Sequence, residues 1–160
     1  MAIYLQYDGI KGNVTADGYK DHIAILFAKF DITRSISMVP GNLSNRESTR
    51  PKLSAVTLTK VADNSVTSLF KESVSGNAGK KAEIKFVQTG KDKVQEYMSI
   101  TLENCLICEY AVTALAEGTP VERIQLSYSK ILINYIDSDA TNKSSAPKRV
   151  GYDLETAKSL

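Results

Sequence analysis

Cys105 and Cys108 are the two cysteines of the chain, and they stand as Cys-Leu-Ile-Cys inside the run ENCLICEY. That spacing serves two chemistries. In a redox pair, a turn at a helix N-terminus brings the sulfurs together and lowers the first thiol's pKa. In a zinc site, the pair supplies half of a four-ligand set. The surrounding residues favour neither. Met98, Ile100, Leu102, Leu106, Cys108, Tyr110 and Val112 alternate with Ser99, Thr101, Glu103 and Glu109, which predicts one long strand bent near Asn104. Successive side chains of a strand point to opposite faces, so residues three apart diverge. Cys108 is expected as a small buried apolar residue and Cys105 as its neighbour on the opposite face.

His22 is the only histidine, so any Ser-His-Asp, Cys-His or zinc arrangement would have to be built around it. It stands beside Asp21 at the edge of an apolar run, where an ordinary strand-edge histidine is the simpler reading. Glu103, Glu109 and Glu122 alternate with apolar residues as the solvated face of a strand does. The Gly-Lys at 90–91 lacks the upstream glycine of a phosphate loop, and residue 92 is Asp. No catalytic residue, metal ligand or cofactor site is expected, and the chain is not read as an enzyme.

The elements that position these residues are mostly strands. Ile3 to Tyr7 is short and β-prone, and glycines follow it. His22 to Phe30 is apolar on both faces, with Ile23, Ile25 and Phe27 on one and Leu26, Ala28 and Phe30 on the other, as in a strand between two packed surfaces. Ile32, Ile36 and Met38 continue it as a half-buried stretch interrupted by Arg34. Residues 39–52 hold two prolines, a glycine and two asparagines, which predicts a long loop. Leu53 to Lys60 reads as one strand. Asp63 or Asn64 then caps a short helix with Val66, Leu69 and Phe70 on its apolar stripe and Gly76 at its end. Ala82, Ile84 and Phe86 alternate inward before a hairpin turn at 89–93. The last long run, 122–136, changes phase near Lys130, as a bulge or a barrel corner requires. Residues 137–149 are polar and expected to be mobile.

Length and charge bound the rest. A chain of 160 residues predicts a single domain spanning 1–160. A net charge of +2, from 20 basic against 18 acidic residues, gives no reason to expect nucleic acid as partner. No apolar run is long enough for membrane insertion as a helix, and no signal peptide is read at the N-terminus. Two cysteines suit a reducing compartment.

Five stretches in order carry a family resemblance: YDGIKGNVT, VTLTKVADNSVTSLF, LENCLICEY, GTPVERIQLSYSKILINY and GYDLETAK. Together they resemble Hcp, the haemolysin-coregulated protein of bacterial type VI secretion systems, essentially end to end. Two aromatic swaps mark this chain: Tyr19 stands where members often have His, and Tyr152 where many have Trp. The resemblance implies a mainly β fold, a two-sheet antiparallel β-barrel with one short flanking α-helix and an extended loop. It implies hexameric rings that stack into the inner tube of the secretion system. The implied partners are further copies of itself, the contractile sheath, the spike protein, the baseplate and effectors in the lumen. The protein would be made in the bacterial cytoplasm and released to the extracellular space or a target cell. The extended loop would project and help rings stack, which assigns Pro40, Gly41, Asn42, Arg46, Glu47, Ser48, Thr49 and Arg50 to ring-ring contact. A soluble barrel that carries a small ligand or effector without forming tubes is the alternative.

Overall fold

The structure, a computed structural model, describes residues 1–41, 50–89, 94–137 and 146–160. In chain order the elements are β1 (Ala2–Tyr7), β2 (Ile23–Ile25), β3 (Phe27–Lys29), β4 (Ile32–Thr33), β5 (Lys52–Leu53), β6 (Val56–Val61), α1 (Val66–Ser75), β7 (Lys80–Thr89), β8 (Val94–Thr113), β9 (Val121–Ser127), β10 (Lys130–Tyr135), β11 (Lys148–Asp153) and β12 (Lys158–Ser159). The fold is mainly β, with antiparallel pairing and one short helix, as the resemblance implies. The polar stretch 137–149, expected to be mobile, contributes Lys148 and Arg149 to β11, while 138–145 lie outside the described residues.

One path of neighbours runs β12-β11-β10-β8-β7-β1-β2, and a second runs β3-β6-β9-β8. Strand β8, 20 residues long, belongs to both. Its first half pairs with β7 and β10, and its second half pairs with β9. On the other side the chain itself joins the two paths, because only Leu26 separates β2 from β3, and its N–H donates to the Thr59 carbonyl at 2.8 Å. The enclosed space is filled by alternate residues of the strands, among them Leu5, Ile23, Ile25, Val56, Leu58, Ile84, Ile100, Leu102, Ile124 and Leu126. These are the period-two positions that burying one face of each strand requires.

The phase change near Lys130 is a corner. β9 pairs on the second half of β8, the chain turns at Tyr128 and Ser129, and β10 pairs on the first half. The run from His22 to Phe30 is not buried on both faces. Ile23 and Ile25 are in the core, but Leu26 and Phe27 are 63% and 51% exposed, because the chain changes sheets between them. Ile32, Ile36 and Met38, expected half-buried, are exposed as well. The predicted strand from Leu53 to Lys60 divides at Ser54 and Ala55 into β5 and β6. Ser54 leaves the ladder to accept from the Asp31 N–H at 2.8 Å and to donate its own N–H to the Asp31 carbonyl at 2.9 Å.

Candidate functional site

The side chains of Cys105 and Cys108 diverge as a strand demands, but the assignment of faces is reversed. Cys105 is fully buried in the core and Cys108 is exposed. The reason is a pair of register slips. Asn104 adopts a left-handed φ of 52°, and there β8 gains a residue relative to β7, so Cys105 and Ile107 inherit the inward phase. Asn tolerates that conformation better than most residues. A second slip, between Ile107 and Glu109 against β9, leaves Cys108 as the extra residue and returns Tyr110 to the inward side. Burial pushes the Cys105 thiol up to about 12, so it is inert at neutral pH. No group of three or more metal-ligating side chains occurs among the described residues. His22 is buried, with Nδ1 at 3.1 Å from the Lys20 carbonyl and its ring edge-on to Tyr19. A neutral ring there donates through Nδ1, since a carbonyl can only accept.

The carboxylate expected on a solvated face is not there. Glu122 is fully buried, and so is Lys60, its direct cross-strand partner on β9 and β6. The Lys60 ammonium donates to Glu122 Oε2 and lies 2.9 Å from Asp63 Oδ1. The Tyr110 hydroxyl donates to Glu122 Oε1. Asp63 Oδ1 also accepts from the Ser65 backbone N–H, at 2.9 Å, and from the Ser65 hydroxyl. Burial, then the hydrogen bond to Glu122, raises the Tyr110 phenol, which keeps it a neutral donor. A sequence signal for this cluster existed. Val56, Leu58 and Lys60 share one phase, as do Glu122, Ile124 and Leu126, so both charges sit at inward positions. Fully satisfied, such a cluster specifies structure more than it performs chemistry.

Helix α1 departs from expectation at its N-terminal end. Ser65 is its N-cap, while Asp63 works from the preceding turn. Gly76 does follow the last turn, in an extended conformation. Of its apolar stripe only Leu69 is buried; Phe70 is exposed and meets Tyr110 edge-on, with ring centroids 6.3 Å apart.

The outer surfaces carry two other features. Across β7, β8 and β10 a shallow concavity is lined by Glu83, Lys85, Ser99, Thr101 and Asn134. Several of its charges are paired, Lys81 and Lys85 with Glu83, and Glu103 with Lys130 beside it at 2.9 Å. The second feature is a run of exposed apolar side chains, Leu26, Phe27, Ile32, Ile36, Met38 and Val39, which begins at the sheet change and leads into the extended loop. β4 and β5, paired Ile32 to Leu53 and Thr33 to Lys52, flank the stretch expected as that loop. Of the residues assigned to ring contact, Pro40, Gly41 and Arg50 are exposed at its two ends, and Asn42, Arg46, Glu47, Ser48 and Thr49 lie outside the described residues.

Fold and surface together define a class: a small antiparallel β protein with a packed interior, whose apolar surface is suited to association. The chain belongs to the family described as type VI secretion system effector, Hcp, which it matches over residues 4–135. It is similar over 99% of both chains to the solved structure of a type six secretion system protein, with a TM-score of 0.91 and 20% identity. Hcp1 from Salmonella typhimurium is similar over 99% of this chain and 98% of its own, with a TM-score of 0.77 and 20% identity. A type VI secretion system effector from Yersinia pestis matches over 94% and 98%, with a TM-score of 0.75 and 17% identity. At these identities the likeness is one of fold. No curated protein matches the chain in sequence.

Proposed function

We propose that the chain is a tube subunit of a type VI secretion system. It forms hexameric rings, the rings stack head to tail into the inner tube, and the lumen carries or stabilises effectors. It acts without catalysis. The sheath, the spike protein and the baseplate are its partners in the machine, and it is released from the bacterial cytoplasm.

The observation that carries this reading is the exposed apolar run from Leu26 to Val39. Isolated surface apolar residues are ordinary, but several in one chain segment mark an interaction site. The segment also follows β3, which among the described residues pairs with β6 alone and so presents a free strand edge there. Ring closure joins two different surfaces of the subunit, a heterologous contact, and an apolar strip beside an open edge suits one half of it. The extended loop beyond, from 39 to 51, makes the contact between rings. The carrier alternative is disfavoured by the filled interior, where Leu5, Leu58, Ile84 and Leu102 occupy the space a ligand would need.

The test is the native mass of the purified protein, with negative-stain images of the same sample. A six-subunit species seen as open-centred rings is expected. A stable monomer at high concentration, with neither rings nor tubes, would overturn the proposal.

A further inference from the structure

Helix α1 is poorly equipped to stand by itself. It has 10 residues, a length at which an isolated helix is marginal in water. Its N-cap Ser65 makes no side-chain capping bond, its first turn holds no acidic residue and its last turn no basic one. Val66, Thr67 and Val74 are β-branched, and the Ser73 and Ser75 hydroxyls bond back to the Phe70 and Lys71 carbonyls. Its one buried side chain is Leu69.

What sits at its N-terminal end is the buried ionic cluster. Asp63, in the turn that opens the helix, receives the Ser65 N–H and hydroxyl from the helix side and the Lys60 ammonium from β6. Lys60 is tied in turn to Glu122 on β9, and Glu122 to Tyr110 on β8, against whose ring Phe70 of the helix packs. The helix thus meets β6 at the Asp63 carboxylate, and through Lys60 and Glu122 it is joined to β9 and β8. We propose that this cluster is a latch that holds α1 on the barrel, so that removing the Asp63 carboxylate releases the helix while the barrel stays folded. The barrel has its own support, since its strands pair with one another without α1, which gives the core a single fully buried side chain, Leu69.

Acid should open the same latch. Burial works to raise the Asp63 carboxyl, but the donors Ser65 and Lys60 outweigh it and hold it below its ordinary value of 3.8. A carboxyl depressed in the folded state adds stability above its unfolded value, and that stability is lost as pH falls through the folded one. The titratable group in contact with Asp63 is Lys60 from β6; Glu122 from β9 and Tyr110 from β8 complete the cluster through Lys60.

Hydrogen exchange followed by mass spectrometry, corrected for intrinsic rates, reads the helix and the barrel separately. In Asp63→Ala, protection of the 66–75 peptide should fall at least about tenfold, the equivalent of about 1.4 kcal/mol, with β1 and β7 unchanged. Leu69→Ala should release the helix less than Asp63→Ala does. Unchanged helix protection in Asp63→Ala, or simultaneous loss in helix and β1, overturns the latch. Should Asp63→Ala fail to fold, the wild-type protein titrated from pH about 7 to about 3 decides. The helix must then open at a higher pH than β1 and β7, and opening together overturns the proposal.

Discussion

Lys60 is a cation with no exposed surface, and its partners decide whether that placement is tolerable. Glu122 and Asp63 supply the compensating charge that water would otherwise provide. Lys60→Met alone strands two buried carboxylates, and breaking such a pair typically costs about 3–5 kcal/mol. Lys60→Met with Glu122→Leu replaces both members of the cross-strand pair by apolar groups of similar size, and it should recover most of that loss. Urea unfolding of the two variants checks the difference; equal destabilisation would mean that the pair does not act as a unit. The cysteines make a second prediction at this scale. Cys108 is exposed and Cys105 is buried with its thiol pushed up to about 12. An alkylating reagent at neutral pH should therefore modify one thiol in the native protein and both in denaturant.

The long strand β8 works as a hinge between the two sheets because it is irregular. Its slips near Asn104 and at Cys108 let one chain pair with β7 and β10 at one end and with β9 at the other. Bulges bend and twist a strand locally, which is what a change of sheet requires. Gly79 is part of the first device. A Cβ at that position would lie 1.7 Å from Asn104 Oδ1, so the left-handed turn of Asn104 needs the empty space. Gly79→Ala should destabilise by about 1–3 kcal/mol, the usual range for overpacking. In a chain of this size that lowers Tm by about 2–4 °C per kcal/mol. An unchanged melting curve would show that the turn can move aside.

At the scale of the whole molecule the question is assembly. Leu26→Glu with Phe27→Glu places two charges on the exposed apolar run without touching the core, since both side chains already face water. The variant should keep its fold by circular dichroism and lose rings in favour of monomers. Wild-type rings would remove that strip from the subunit contact. The extended loop predicts a different phenotype. Arg46→Glu with Arg50→Glu should weaken tubes while single rings persist, as electron microscopy would show. Tubes of normal length and salt resistance would sink the assignment of 39–51 to ring stacking.

Local pattern in the chain settled the strand-rich class, the position of the helix after Asp63, and the break between Ser127 and Lys130, because alternation, capping and phase are properties of neighbouring residues. The divergence of the two cysteines was legible for the same reason. Which of them is buried was not, because that depends on slips at Asn104 and Cys108 measured against β7 and β9, residues distant in sequence. The exposure of Leu26 and Phe27 likewise follows from a change of sheet, which hydrophobicity alone reads as burial on both sides. Lys60 and Glu122 were each visible at inward positions, yet only the pairing of β6 with β9 brings the two charges face to face. Sequence determines which face of a strand is apolar; long-range pairing decides what that face meets.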